Sequence, residues 1–346
     1  MTKVQMRGEA VRRFILENVE KHPADIAIIT AEKFEITRQA VNKHLRKLVD
    51  ENAIFENGNT RNRTYQLASL VSFSESYQID EKLEEDQVWR KDIAIHLANL
   101  PQNVLDIWHY GFTEMFNNAI DHSEGDYIRV RLNKTAINAE ISIYDDGVGI
   151  FKKIQAKLDL IDERQAVLEL AKGKLTTDPS RHTGEGIFFS SRVFDYFMIL
   201  SGGVYFSHQF DDQEDWIMER EESSSGTYVL MKINDSSIRT IKEIFDEFSS
   251  MDDYGFTKTV VPVKLAQYGD EYLVSRSQAK RLLSRIDRFK TVLFDFHGVE
   301  AIGQSFADEI FRVFAEQHPN MQLLDIRANP EVEKMISRAR SRSRSE

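Results

Sequence analysis

The stretch of residues 112–122 constrains this chain most, because its polar and apolar side chains separate onto two faces of one predicted helix. Glu114 and Asn118 are four residues apart and therefore share a face. The apolar positions fall on the opposite face: Trp108, Phe112, Met115 and Ala119. One face is suited to packing in a core, and the other presents a carboxylate and an amide to something polar.

A carboxylate and an amide one helical turn apart suit a magnesium nucleotide. Mg²⁺ takes octahedral oxygen ligands, keeps several waters, and uses one or two protein oxygens together with phosphates. Asn118 would supply its amide oxygen, and Glu114 would orient and deprotonate a water on the γ-phosphate side. Taken alone, this pair favours a solvated helix face, and the glycine-rich segments that follow reverse that preference.

The first of two glycine-rich segments follows residues 139–144, whose alternating polarity predicts a half-buried strand. Asp145 ends that strand, where a carboxylate can accept a hydrogen bond from an exocyclic amine. Gly147 and Gly149 follow, and glycine lacks the Cβ that would keep the backbone away from a ligand. In isolation this segment also fits a plain turn.

The second glycine-rich segment, residues 183–187, contains Gly184 and Gly186 and leads into an apolar helical stretch. Backbone N–H groups of such a loop, at a helix N-terminus, bind phosphates. Arg181 and His182 directly before it are candidate phosphate contacts, although a solvated loop is an alternative. Before this segment, residues 151–172 are predicted to be helical and to stop at Gly173.

In order, Glu-x-x-x-Asn-Ala, Asp-x-Gly-x-Gly-Ile, Thr-Gly-x-Gly-Ile and Ser-Gly-Thr at residues 225–227 resemble the motifs of the GHKL ATPase superfamily. Its members include gyrase, Hsp90, MutL and the histidine and anti-sigma-factor kinases. The resemblance covers residues 88–235. It implies a Bergerat fold, an α/β sandwich that holds ATP and Mg²⁺ between helices and a mobile lid, here residues 151–186.

The resemblance also implies a role for each matching residue. Asp145 would read the adenine amino group with help from Thr227, Glu114 would be the catalytic base, and Asn118 would be the metal ligand. The remaining cofactor-binding positions are Gly147, Gly149, Thr183, Gly184 and Gly186. The strand that begins at Thr227 is expected to close the sheet.

Composition narrows the class of protein. The chain has 346 residues and no cysteine, which excludes disulfides and thiolate metal sites. No signal pattern and no apolar run of membrane length is evident, so we expect a cytoplasmic protein without a membrane partner. The net charge of −11 is uneven, since residues 1–68 hold 12 Lys and Arg against 9 Asp and Glu. The N-terminal segment is therefore free to meet an anion.

Residues 1–68 read as three helices and a hairpin. Residues 7–21 form the first helix, Pro23 begins the second, and Thr37 caps a third that runs to about Glu51. In the third helix the inward positions are Val41, Leu45 and Leu48. The hairpin turns at Asn57-Gly58.

Three helices and a hairpin of this size resemble a winged helix-turn-helix, and residues 36–48 are typical of its recognition helix. Gln39 and Asn42 would pair with adenine edges, and Arg38 with guanine or phosphate. The residues expected to contact the DNA backbone are Lys43, Arg46, Arg61 and Arg63. Docking to a protein is the alternative, since winged helices do that too.

Residues 255–337 alternate predicted strands, at 291–296 and 321–326, with amphipathic helices, which favours a small α/β layer. Residues 294–311 resemble a STAS domain, more closely the STAS-like domain of unknown function often attached to GHKL ATPases. Gln304 occupies the position of the serine that GHKL kinases phosphorylate in anti-sigma-factor antagonists. Ser305 beside it is predicted to be a helix N-cap. Residues 69–87 are predicted to be a linker, 236–254 a linker helix, and 338–346 a disordered Ser/Arg tail.

The fold class expected is multidomain α+β: a winged helix, a Bergerat α/β sandwich and a STAS-like α/β domain. The function expected is that of a bacterial ATP-binding transcription regulator, slow in hydrolysis, whose lid closure on Mg-ATP signals to the DNA-binding and STAS-like domains. The alternative is an anti-sigma-type serine/threonine kinase acting on a STAS domain. A protein partner of the STAS-like domain and a homodimer remain open.

Overall fold

The computed structural model describes residues 3–59, 62–175, 184–210, 214–249, 255–267 and 271–343. The chain divides into two compact units. The first comprises Met1–Glu75, Val130–Ile141 and Lys232–Ser237. The second comprises Ser76–Arg129, Ser142–Met231 and Ile238–Glu346. The architecture is mixed α/β with open sheets.

The first unit begins with three helices and a hairpin, as the sequence predicts. These elements are α1 (Lys3–Asn18), α2 (Ile26–Phe34), α3 (Arg38–Asp50), β1 (Ile54–Asn57) and β2 (Thr64–Leu67). Thr37 caps α3, and its hydroxyl accepts a hydrogen bond from the Ala40 N–H at 3.2 Å. The two strands pair antiparallel, with Ile54 opposite Leu67. The predicted hairpin is confirmed, with Asn57 of the Asn-Gly pair as the last residue of β1.

One hydrophobic core holds this unit together. The predicted inward positions of α3, Val41, Leu45 and Leu48, are buried to 3% exposure or less. They pack with side chains from the other helices and the hairpin: Val11, Ile15, Val19, Ile26, Ile54, Tyr65 and Leu67. Burying a side chain of this kind contributes about 1.5–3 kcal/mol, so the apolar spacing of α3 accounts for its position.

The next elements lead to the helix that carries Glu114 and Asn118. They are β3 (Val71–Gln78), α4 (Glu85–Val88), α5 (Ala94–Leu97), α6 (Gln102–His122), β4 (Tyr127–Lys134) and β5 (Asn138–Asp145), with a π-helical turn at Trp89–Ile93. The predicted apolar face of α6 is buried, and Trp108 and Phe112 are fully enclosed. Residues 71–78, assigned to a linker from the sequence, instead form a strand of a sheet.

Three helices and two long strands follow: α7 (Ile150–Leu158), α8 (Glu163–Lys172), α9 (Gly186–Val193), β6 (Tyr196–Gln209) and β7 (Glu214–Asn234). The helical character predicted for residues 151–172 is confirmed, but the stretch is divided into the two helices α7 and α8. Asp159 ends α7 in the left-handed conformation, at φ 52°, and the Asp162 side chain caps α8 by accepting from the Gln165 N–H at 2.9 Å. Gly173 ends α8 as predicted.

The larger sheet has the strand order β3-β4-β5-β7-β6. The strand that contains Thr227 therefore lies between β5 and β6, and the prediction that it closes the sheet is wrong. Strand β6 pairs with the side of β7 that faces away from β5 and is therefore one edge of the sheet, and β3 is the other. In β5 the apolar residues Ala139, Ile141 and Ile143 are all buried, which makes this strand part of the core.

The remaining elements end the chain: α10 (Ile241–Phe248), β8 (Lys258–Pro262), α11 (Arg276–Leu283), β9 (Thr291–Asp295), α12 (Gln304–Asp308), α13 (Ala315–Gln317), β10 (Gln322–Ile326) and α14 (Pro330–Ser343). Strands β8, β9 and β10 form a parallel sheet of order β10-β9-β8, with Val260 and Leu324 on either side of Leu293. Parallel strands joined through helices match the α/β layer predicted from the sequence. We call β8 to α14 the C-terminal layer.

Two predictions in this layer are wrong. Gly303, and not Ser305, is the N-cap of α12, since Ser305 already lies within the helix and is exposed. The tail predicted to be disordered from residue 338 instead continues α14 to Ser343. Ala339 is fully buried and Arg340 pairs with Asp325 at 2.8 Å, so these contacts extend the helix into the Ser/Arg segment.

None of the helices in the described ranges combines the length and the apolar character that crossing a bilayer requires.

Candidate functional site

A cavity of about 250 Å³ lies in the second unit. It is lined by residues of α6, β5, α7, α8, α9, β6 and β7. The predicted site residues on its wall come from four separated segments: Glu114 and Asn118, Asp145, Gly184 and Gly186, and Thr227. The fold thus gathers these six predicted residues around one space, while Gly147 and Gly149 are not part of its lining.

Asp145 is the most constrained side chain of this cavity. It ends β5, is only 5% exposed, and its Oδ1 accepts hydrogen bonds from the backbone N–H of Gly147 at 3.0 Å and of Thr227 at 3.3 Å. Burial raises the pKa of Asp145 to about 6, although the two N–H donors act in the opposite direction. At neutral pH the group is mostly ionised, so a buried acceptor with a fixed orientation faces the cavity.

Gly147 and Gly149 are glycines for a steric reason. A Cβ on Gly147 would lie 2.0 Å from the carbonyl oxygen of Ser123. Gly149 has φ +89°, a left-handed conformation that favours glycine, and a Cβ there would lie 2.7 Å from the Ser201 hydroxyl. The turn after β5 therefore lies against neighbouring groups with no space for side chains.

Thr227 ties the strand β7 to the turn that follows Asp145. Its hydroxyl accepts a hydrogen bond from the Ile150 N–H at 3.0 Å, at the start of α7. Gly226 just before it donates its N–H to the Gly147 carbonyl at 2.8 Å. Residue 226 must also be glycine, because a Cβ on Gly226 would lie 1.9 Å from the Asp145 carbonyl oxygen. Thr227 and Asp145 are thus held as one hydrogen-bonded group.

Glu114 and Gly186 meet on another wall of the cavity. A Cβ on Gly186 would lie 1.9 Å from Glu114 Oε2, so the carboxylate rests against the backbone at the first residue of α9. Asn118 follows one turn further along α6 and also lines the cavity. Burial, together with the charges of Glu114 and Glu185, raises the pKa of the Tyr110 hydroxyl, which keeps that group neutral beside them.

Within the described ranges, no group of three or more His, Cys, Asp or Glu side chains is arranged to hold a metal ion. A magnesium ion in this cavity would instead need Asn118, with Glu114 nearby, and oxygens from a bound phosphate. The oxygen donors of Asn118 and Glu114 on the cavity wall fit such a group.

The sequence did not single out Lys153. It lies on α7, lines the cavity, donates to the His122 carbonyl at 2.7 Å and pairs with Glu124 at 2.8 Å. Its position one turn after Gly149 is the only signal in the sequence, and an ordinary surface lysine would look the same. Thr183, Arg181 and His182 lie outside the described residues.

The predicted DNA-contacting residues of α3 share one surface of the first unit. Five of them are exposed: Arg38, Gln39, Asn42, Lys43 and Arg46. Arg63, just before β2, is half-buried and pairs with Glu56 at 3.3 Å, so part of its charge is already neutralised. Arg61 lies outside the described residues. Burial and the nearby charges of Arg12 and Lys47 lower the pKa of His44, which keeps it neutral on α3.

Comparison with known families finds a match in the C-terminal layer. Residues 278–333 match the family described as a STAS-like domain of unknown function (DUF4325). The match confirms the STAS-like prediction for this part of the chain, and a domain of this type points to protein interaction. No curated protein matches the chain.

Proposed function

We propose that the cavity binds Mg-ATP and that the chain is a nucleotide-responsive regulator of the GHKL type with a Bergerat fold. The observation that carries this proposal is the fixed Asp145 carboxylate. It is buried, held by two backbone N–H groups, and joined through Thr227 to a turn that has no space for side chains. A buried carboxylate of this kind is an acceptor suited to the exocyclic amine of adenine.

The other residues of the cavity supply the chemistry that the nucleotide requires. Asn118 would give an amide oxygen to Mg²⁺, which would neutralise phosphate charge. Glu114 would take the proton of an attacking water, a step worth about 10²–10⁴-fold in rate. Gly186 brings the first N–H groups of α9 to the same wall, where a helix N-terminus favours phosphate.

Calorimetry of the full chain with Mg-ATP tests this proposal. We expect Mg-ATP to bind the wild type and to bind Asn118→Ala more weakly, because that change removes the metal ligand. Asn117→Ala, beside it on α6 and outside the cavity lining, is the matched control. Absence of binding to the wild type, or equal affinity in Asn118→Ala and wild type, would contradict the assignment.

We further propose that the first unit is a winged helix that binds DNA through α3. The exposed row of cationic and amide side chains supports this, as does the positive balance of residues 1–68 in an acidic chain. In such a complex α3 would enter the major groove and the β1–β2 hairpin would contact the backbone. Binding would be salt-dependent, because each neutralised phosphate releases counterions.

Fluorescence anisotropy with DNA at several salt concentrations separates the two kinds of contact. Loss of both Lys43 and Arg46 should weaken binding to all sequences and reduce the salt slope by about one unit per contact. Gln39→Ala or Asn42→Ala should instead reduce discrimination between sites by about 1–3 kcal/mol per bidentate contact. If no DNA binds at low salt, the surface belongs to a protein partner.

A protein kinase is the second candidate, favoured by the STAS-like match together with the exposed Ser305 in α12. Incubation with γ-labelled ATP and Mg²⁺ distinguishes the two functions. Free phosphate would support the ATP-dependent regulator. Label on protein that disappears in Ser305→Ala would support phosphoryl transfer to the STAS-like segment.

A further inference from the structure

We propose that the end of α8 couples the cavity to the C-terminal layer through the buried ammonium group of Lys172. We call residues 169–175 the α8 end. The inference rests on the proposed nucleotide site, and it assigns to the STAS-like segment a regulatory connection to that site. The contacts that carry it all lie within the second unit.

The Lys172 ammonium group has all three of its donors engaged. It donates to Glu169 Oε1 at 2.7 Å, to the Ser284 carbonyl at 2.8 Å and to the Arg281 carbonyl at 3.3 Å. Lys172 is 1% exposed and Glu169 is 2% exposed, so the pair is inaccessible to water. Lysine has three donors and no acceptor, so this set of three acceptors satisfies it completely.

The two carbonyls lie at the C-terminal end of α11, a helix of the C-terminal layer. Arg281 is in the last turn and also accepts from the Ser284 N–H at 3.3 Å, and Ser284 is the C-cap. The last four C=O groups of a helix have no partner inside it, and a cation at this end is favourable. A residue of α8 therefore caps a helix that reaches into the segment matching the STAS-like family. Loss of the lysine alone would leave Glu169 and two helix carbonyls buried with fewer partners.

Neighbouring residues of the α8 end make parallel contacts. The Thr259 hydroxyl, on β8, donates to the Lys172 carbonyl at 2.6 Å. Arg288 Nη1 donates to the Lys174 carbonyl at 2.8 Å, and Lys174 Nζ donates to the Arg288 carbonyl at 3.2 Å. Backbone and side chains of the α8 end are thus fixed to β8 and to the segment after α11.

The same few residues form part of the cavity wall. Leu170 and Leu175 line the cavity on either side of Lys172. A second route is aromatic, because Phe188 of α9 lines the cavity and packs on Phe256, shortly before β8, with ring centroids 4.7 Å apart. A ligand that displaces or orders this wall must therefore also act on the contacts to the C-terminal layer.

Such coupling is reciprocal. If a partner changes the C-terminal layer and thereby alters nucleotide affinity, the nucleotide must alter the affinity for that partner by the same factor. We infer that the C-terminal layer holds the cavity wall in the conformation seen here. Releasing it leaves the nucleotide to order the wall, so affinity should fall.

The test uses the full chain with Glu169→Leu and Lys172→Met together. Replacing both members of a buried pair with apolar residues of similar size is often neutral for stability, whereas removing one is not. Arg285 lies 3.9 Å from Glu169 and loses this partner in the double variant, but its side chain is 30% exposed and can be solvated by water instead. Lys280→Met is the matched control. Lys280 lies on α11, the helix whose end Lys172 contacts, but it pairs with Glu309 at 3.8 Å within the C-terminal layer.

Two measurements are made on each protein: affinity for Mg-AMP-PNP by calorimetry, and hydrogen exchange of peptides covering residues 168–175 and 276–289. In the double variant we expect affinity lower by at least about fivefold, the low end of typical coupling. Exchange should rise in both peptides, and the nucleotide should protect residues 276–289 in the wild type only. Lys280→Met should resemble the wild type.

The two proposals fail in different ways. If the wild type binds no nucleotide but exchange rises in both peptides of the double variant, the nucleotide site is wrong and the connection at Lys172 stands. If nucleotide binds with the same affinity in both proteins and protects residues 276–289 equally, the site stands and the coupling is refuted. Tighter binding of nucleotide in the double variant also refutes the inference that the C-terminal layer holds the cavity wall in the binding conformation.

Discussion

Replacing Asp145 with asparagine should make the nucleotide-free protein more stable and the nucleotide complex weaker. Asp145→Asn keeps the shape of the side chain, and the amide oxygen can still accept from the Gly147 and Thr227 N–H groups. The change therefore removes the buried charge and little else. A buried carboxylate that serves only a ligand destabilises the empty protein, so its loss should stabilise that form.

The size of this effect follows from the pKa. Burial raises the pKa of Asp145 from 3.8 to about 6, and each unit corresponds to about 1.36 kcal/mol, so the ionised carboxylate costs about 3 kcal/mol. Because the folded pKa is the higher one, the folded state binds the proton more tightly. The stability of the wild type is therefore greatest below about pH 4, falls between about pH 4 and pH 6, and stays low above that. Asparagine has no such dependence.

Urea unfolding followed by tryptophan fluorescence measures the effect, since Trp89 and Trp108 are buried in the same unit. The free energy of unfolding of Asp145→Asn minus that of the wild type should be larger by about 2 kcal/mol at about pH 7.5 than at about pH 4.5. Asp146→Asn is the control, because Asp146 is exposed and also accepts two backbone N–H groups, from Asp126 and Tyr127.

Two results would refute this reasoning separately. A difference in unfolding free energy that does not vary with pH would mean that Asp145 carries no raised pKa. Unchanged ATP affinity in Asp145→Asn would mean that the carboxylate does not read the adenine amine. The expected combination, higher stability with affinity lower by at least about tenfold, corresponds to loss of one hydrogen bond to a charged group.

Two further predictions address catalysis and folding. Glu114→Gln should retain nucleotide binding in calorimetry but lose phosphate release by about 10²–10⁴-fold, and undiminished release would exclude Glu114 as the base. Thr37→Ala should lower the unfolding free energy of the first unit by about 1 kcal/mol, because it removes the cap that accepts from Ala40. Urea unfolding measures this loss, with Ser72→Ala at an exposed position of β3 as the control. Equal losses in the two variants would show that the cap contributes nothing.

Apolar spacing and helix-capping residues predicted the structure correctly where the contacts that decide it are close in sequence. The apolar spacing of α3 and α6 predicted which faces are buried, and Thr37 predicted the start of α3. At Gly149 the requirement for glycine comes from the backbone at the residue itself, with φ +89°, whereas at Gly147 it comes from the carbonyl of Ser123, which a local rule does not show. The expectation that the motifs share one site came from the family resemblance that their order carries, and not from local rules.

Predictions failed where tertiary contacts decide. Residues 71–78 fall in the stretch predicted to be a linker, yet they pair in the sheet as a strand. The Ser/Arg pattern after residue 337 suggests disorder, but a buried Ala339 and the Arg340–Asp325 pair hold it in α14. Ser305 has the right chemistry for a cap, and Gly303 takes that position because the helix begins earlier in the chain.

Lys172 shows most clearly what a sequence pattern leaves out. A lysine in the last turn of an amphipathic helix is ordinarily a solvated residue that favours the helix C-terminus. Here it is buried, and the carbonyl acceptors that justify its burial, at Arg281 and Ser284, lie 109 and 112 residues away in sequence. Methionine would fill the same space but donate nothing to those carbonyls. The three hydrogen bonds therefore account for a lysine at this position, and through them α8, which lines the cavity, is joined to the C-terminal end of α11.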